Sequence, residues 1–177
     1  MGRPVHLVRR FVGTLSLAGP AAADVAWVAG TLTDAEMTVW RRLPRHDRRH
    51  SVRVARDVEA ALAGTEYAGD PRWVEAALLH DIGKLDSRLG VYGRVVATVS
   101  GAVVGRDHAE AWSETSGFTR RVGLYLRHTE LGGDRIRLAG EPEEAALWSA
   151  VHHDPERWAE LPIPEPVIAA LDAADND

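Results

Sequence analysis

The stretch from Asp70 to Lys84 constrains this chain more than any other. Asp70-Pro71 has the form of a helix N-cap followed by proline at the first helical position, where a missing amide is no loss. Val74, Ala77, Leu78 and Asp81 then recur at helical spacing, and Gly83 ends the helix. Two adjacent ligand-type side chains, His80 and Asp81, are thereby delivered to a helix end. Neighbouring residues on a regular helix diverge by about 100°. Both therefore reach one ion only near a helix end or a bend, and Gly83 supplies the bend. Lys84 follows, and it is the single lysine among 21 Lys and Arg residues. Arginine is a planar fork, whereas lysine is a compact point charge that fits beside a phosphate or a metal-bound oxygen. The expectation is that His80 and Asp81 bind metal and that Lys84 meets the substrate's anion.

The remaining pattern is helical throughout. Residues 1 to about 20 suggest a first helix packed on the body, and Ala21 to Gly30 a second. Thr33 and Glu36 have the spacing of a capping box. They open a short helix with Met37 and Trp40 on its apolar face, closed by Pro44. Asp47 is placed to cap the next helix, which carries the stripe Val52, Ala55, Val58 and Leu62. Residues 86 to 106 read as a helix interrupted by glycines, and 109 to 128 as helical with a break at Gly117 and an end near His128. Gly132-Gly133 predicts another break, with Ile136 and Leu138 in a short helix after it. Pro142-Glu143-Glu144 starts a helix that runs to His152-His153, and a Pro-rich link leads to a last helix from Val167 to about Asp175. No strand-turn-strand pattern, repeat or low-complexity tract interrupts this series. The expected fold is all-α, a single-domain bundle of roughly seven to nine helices.

Composition narrows the chemistry. A chain of 177 residues with 45% hydrophobic and 27% charged content suits one soluble domain. The net charge of −5 gives no global field toward nucleic acid or anionic membrane. The N-terminus lacks a signal-peptide core, and Val95 to Val104 is too short to span a bilayer; the expected location is cytoplasmic. Cysteine is absent, which excludes disulfides and thiolate chemistry and leaves nitrogen and oxygen as metal ligands.

Five groups of such ligands fall at helix ends: His50, His80-Asp81, His128, His152-His153, and Asp172 or Asp175. Helix ends gathered at one end of a bundle can converge on a metal. Imidazole with carboxylate suits Fe, Mn, Ni, Co or Zn, and a site richer in oxygen also accepts Mg.

His50, the run Leu78-Leu79-His80-Asp81-Ile82-Gly83-Lys84 and the terminal Ala174-Asp175 resemble the HD superfamily of metal-dependent phosphohydrolases. The resemblance covers residues 45 to 177, with 1–44 as N-terminal helices packed on that core. It implies a helical bundle in which His50, His80, Asp81 and Asp175 ligate metal, with Asp172 as the alternative to Asp175. Leu126-Arg127-His128-Thr129-Glu130-Leu131-Gly132 and His152-His153-Asp154-Pro155-Glu156-Arg157-Trp158 are similar to segments of the HD-GYP-like branch. There, His128, His152 and His153 would complete a second metal position. Ala159-Glu160-Leu161-Pro162 stands where that branch has Asp-Gly-x-Gly-Tyr-Pro. The resemblance thus carries a dinuclear site further than it carries cyclic-di-GMP hydrolysis. The chain also looks like compact stand-alone HD proteins of high-GC bacteria, in keeping with its Arg-for-Lys and Ala-rich usage.

The function this implies is hydrolysis of a phosphoester of a nucleotide or similar small phosphorylated molecule, with one or two divalent ions. Asp81 would orient the attacking water, Lys84 would neutralise phosphoryl charge, and Arg49 and Arg53 would grip a substrate phosphate. Two other classes fit the same residues: a metal-stabilised module that senses a nucleotide, and a di-iron oxygenase.

Overall fold

A computed structural model describes residues 18–104, 108–140 and 142–176. Most of the expected first helix lies outside these residues. Among the described residues the fold is all-helical, with eleven α-helices, no strand and one 3-10 turn over Pro155–Glu160. The helices are α1 (Ala22–Thr31), α2 (Asp34–Trp40), α3 (Arg45–Leu62), α4 (Pro71–Leu79), α5 (Lys84–Ser87) and α6 (Val91–Val104). They continue with α7 (Ala109–Ser113), α8 (Gly117–Leu126), α9 (His128–Ala139), α10 (Glu143–Val151) and α11 (Glu165–Asn176). The count exceeds the expected one because α5 and α7, each about one turn long, read from sequence as parts of longer segments.

Local signals set most helix starts. The Thr33 hydroxyl accepts from the Glu36 amide at 3.2 Å, and the Glu36 carboxylate accepts from the Thr33 amide at 2.7 Å, so the capping box forms in full. Asp70 accepts from the Arg72 amide at 3.1 Å, with Pro71 opening α4. Gly117 takes the left-handed conformation at the break before α8. Asp47 departs from its expected role. Pro44 occupies the N-cap of α3, and Asp47 is buried in a two-pronged pair with Arg94 of α6, both contacts at 2.6 Å. With Pro44 at the N-cap, the Asp47 carboxylate goes to the arginine fork and not to the helix start.

Two glycine readings are corrected by packing. Gly132-Gly133 does not break the chain; both lie inside α9. A Cβ on Gly132 would come within 2.4 Å of the Ser149 hydroxyl, and one on Gly133 within 2.8 Å of the Ala146 carbonyl. These glycines let α9 and α10 approach, and helix continuity there outweighs the intrinsic penalty of about 1 kcal/mol each. Gly93 and Gly101 likewise lie within an unbroken α6, facing Leu89 and Leu126 side chains. The helix expected to end near His128 does so at Leu126, and His128 begins α9. Conversely, α4 is shorter than expected: it stops at Leu79, and His80 to Gly83 form a turn.

The main core joins α1 and α2 (Val28, Met37, Trp40) to α3 (Val54, Ala55, Val58), α4 (Trp73, Leu78), α10 (Trp148) and α11 (Val167, Leu171). The predicted stripe Val52, Ala55, Val58 and Leu62 is buried in it. A smaller cluster of Leu89, Ala97 and Val122, with Tyr125 and Leu126 against it, seats α6 on α8. Against α4 pack α3 and α10, while α11 lies along α3 and α9 along α10. This arrangement brings the ends of α4, α10 and α11, the first half of α3 and the start of α9 to one place.

Candidate metal centre

His80 and Asp81 are both buried in the turn that follows α4. That turn lies against the first residue of α9, and only glycine permits it: a Cβ on Gly83 would fall 1.9 Å from the His128 carbonyl oxygen and 2.6 Å from the Gly132 amide. Gly83 does supply the bend expected between the ligand pair and Lys84. Its larger effect is to let two ligand-bearing segments touch.

The Asp81 carboxylate sits between two sets of imidazoles. Its Oδ2 lies 3.8 Å from His50 Nε2 and 3.4 Å from His80 Nε2. Its Oδ1 lies 3.5 Å from His128 Nε2 and 3.8 Å from His152 Nε2. Asp175 Oδ1 completes the first side, 3.0 Å from His50 Nε2 and 3.6 Å from His80 Nε2. His153, the most exposed of the group, completes the second, with a ligand atom within 4.8 Å of those of His128 and His152. Of the two C-terminal aspartates, Asp175 is the one that faces the cluster. Asp172 is partly exposed and accepts from the Asn176 side chain at 2.7 Å.

Three of the rings share one orientation. The Nδ1 of His80, His128 and His152 bonds the carbonyl three residues earlier, on Ala77 at 2.8 Å, Tyr125 at 2.7 Å and Ser149 at 2.9 Å. A carbonyl only accepts, so each Nδ1 carries the proton, and in the neutral ring Nε2 presents its lone pair. Those three Nε2 atoms and Asp81 Oδ1 are buried without a hydrogen-bond partner. Lone pairs gathered in a buried space, with each ring fixed through its other nitrogen, are the donor set that a cation satisfies. These buried His and Asp groups can hold a metal ion.

The electrostatics agree. Burial disfavours charge on His80, yet the Asp81 and Asp175 carboxylates outweigh it and push that ring up to about 10, so without an ion its Nε2 holds a proton that a bound cation would displace to free the lone pair. Burial would also raise Asp81, but Lys84 and His80 hold it well below the usual carboxylate range. Asp175 is depressed too, by bonds from His50 and His80 acting against its burial. On the other side, burial and neighbouring imidazoles drive His152 well below its ordinary value and His153 down to about 4, which keeps both rings neutral and able to ligate.

Lys84 bonds Asp81 Oδ2 directly, and that carboxylate holds its ammonium charged against burial. Arg53 lies beside His50, donating to the Ala174 carbonyl at 3.3 Å and reaching His50 Nδ1 at 3.4 Å. Arg49 is exposed on α3. Several supporting residues carried no sequence signal: Ser149, Tyr125, whose ring stacks on His128 at 5.4 Å, and the buried Asp47–Arg94 pair. Tyr125, and Ser149 toward His152, act through the backbone carbonyl, which any residue type supplies, and i−3 spacing from each ligand histidine is the one rule that could have found those two bonds.

No helix among the described residues is long and apolar enough to cross a membrane. No protein-family model, curated protein or solved structure matches the chain.

Proposed function

We propose that this chain is a metal-dependent phosphohydrolase that cleaves a phosphoester of a small phosphorylated molecule of the nucleotide class. The observation that carries the reading is the placement of Asp81, with each carboxylate oxygen facing its own set of imidazoles and Lys84 on one of them. His50, His80, Asp81 and Asp175 would hold one ion, and Asp81, His128, His152 and His153 the other. The donor set, entirely nitrogen and oxygen, suits Fe, Mn, Ni, Co or Zn, with Mg less well matched by so many imidazoles. Bound divalent ions supply Lewis-acid polarisation of the phosphoryl oxygens and a water of lowered pKa.

The chain's own residues contribute position and charge. Asp81 fixes the spacing of the two sides and, with an oxygen on each, can orient a water between them. Lys84 steadies Asp81 and adds a positive charge where negative charge builds on the phosphoryl group. His50 and His153 are the more exposed members, and they mark the side from which a substrate enters. Arg53 at the rim of His50 can swing to a second phosphate. The same donor set would also suit a di-iron oxygenase; the Lys84–Asp81 contact favours the phosphate reading, because a fixed cation beside the donor set suits an anionic substrate.

The test is phosphate release from a panel of nucleotides and from bis(p-nitrophenyl) phosphate with Mn, Fe, Co, Ni and Zn in turn. Metal-dependent release that is lost in Asp81→Ala supports the reading; no release with any metal contradicts it.

A further inference from the structure

Ser149 is fully buried in α10 and bonds to both halves of the candidate centre. Its hydroxyl donates to the main-chain carbonyl of His80 at 2.8 Å. Its own carbonyl accepts from His152 Nδ1 at 2.9 Å. The first bond ends on the ligand set of His50, His80 and Asp175, the second on the set of His128, His152 and His153. In the turn after α4, the carbonyls of Leu79, Asp81, Ile82 and Gly83 each accept the amide three residues on. The His80 carbonyl accepts from Ser149, a residue of another helix. Helix C-termini leave such carbonyls without intrahelical partners, and this one is satisfied across the α4–α10 contact.

The neighbourhood is shaped around that hydroxyl. A Cβ on Gly132 would lie 2.4 Å from Ser149 Oγ and 3.2 Å from the Gly83 amide. Gly83, Gly132 and Ser149 thus form one close three-way contact among the turn, α9 and α10. We propose that Ser149 is a positioning residue that fixes the separation of the two ligand sets, so that Asp81 spans both. The proposal rests on the metal reading given above. Alanine at this position keeps the carbonyl that holds His152 and removes only the bond to His80. The register between the two sets then loosens while each ring keeps its own anchor. Loss of such outer partners typically weakens metal binding about 10- to 100-fold.

The experiment titrates Co²⁺ into the full chain, wild type and Ser149→Ala, and follows the visible d–d absorption. Urea midpoints of the ion-free proteins are measured alongside. Expected are a folded variant, Co²⁺ affinity weakened about 10- to 100-fold, and a changed band shape at saturation, which reports altered ligand geometry. A merely structural role would lower the urea midpoint and leave affinity and spectrum of the folded protein as in wild type; that result overturns the proposal. Should Ser149→Ala fail to fold, Gly132→Ala carries the test, because its new Cβ pushes the hydroxyl off the His80 carbonyl with Ser149 intact. An unchanged spectrum there also overturns the proposal. Absence of any Co²⁺ uptake by wild type would instead overturn the metal reading itself, and the role of Ser149 with it.

Discussion

Lys84 bonds the same carboxylate oxygen of Asp81 that faces His50 and His80, while the other oxygen faces His128 and His152. The only lysine of the chain is therefore tied to the residue shared by both ligand sets. Lys84→Met removes its charge at nearly constant length. Turnover on bis(p-nitrophenyl) phosphate should fall about 10²- to 10³-fold, the usual effect of deleting one stabilising group from a polar active site. Lys84→Arg should not restore it, since a planar fork does not fit where a compact ammonium sits. Wild-type turnover in Lys84→Met would remove Lys84 from the mechanism.

Asp175 and Asp172 give a paired test on one helix. Asp175→Asn should lower metal content and activity together, because its Oδ1 faces both His50 and His80. Asp172→Asn should retain both, since that carboxylate only meets Asn176. Metal content measured on the two purified variants separates them.

Gly83→Ala probes the contact between the His80-Asp81 turn and α9. The added methyl would lie 1.9 Å from the His128 carbonyl oxygen, which is backbone and cannot step aside. Overpacking of this kind typically destabilises by about 1–3 kcal/mol. A lowered urea midpoint with weakened metal binding is expected, and a midpoint equal to wild type would show that α9 does not rest on this turn.

The ion-free protein should have a stability maximum in pH. The folded-state value of His153 is down to about 4, so between that value and the ordinary 6.5 the unfolded chain binds more protons. Stability is therefore full above 6.5 and falls as pH drops toward 4; His50 and His152, also lowered, act in the same direction. His80 is pushed up to about 10, so its contribution is full below 6.5 and is lost as pH rises through 10. Urea midpoints from pH 4.5 to 10, scanned in steps of about one unit, should peak near the ordinary imidazole range. His153→Gln should flatten the acid limb and leave the alkaline limb in place; an unchanged acid limb would contradict the assignment.

Much of this was readable in advance, for identifiable reasons. The all-helical class followed from apolar stripes such as Val52, Ala55, Val58 and Leu62 and from caps such as Thr33 and Asp70, because these signals are local. The candidate ligands stood out because no cysteine competes with them and because His80-Asp81 and His152-His153 are followed closely by Gly83 and Pro155. Readings that depended on distant neighbours went astray. Gly132 and Gly133 look like breaks until Ser149 and Ala146 are seen to need their space. Asp47 looks like a cap until Arg94, far away in sequence, claims it. The role of Ser149 had no sequence signal, since both of its bonds run through main-chain carbonyls. Ala174-Asp175 already favoured Asp175 over Asp172 in the sequence, and on α11 it is the Asp175 carboxylate that faces His50 and His80.

The central claim, that Asp81 joins two metal positions, is tested most directly by metal content per chain in wild type and Asp81→Ala, with phosphate release measured on the same samples. The account predicts about two equivalents of a divalent transition metal in wild type. It predicts loss of both metal and phosphate release in Asp81→Ala, with the helical fold retained. Asp81→Ala that matches wild type in metal content and phosphate release would contradict it.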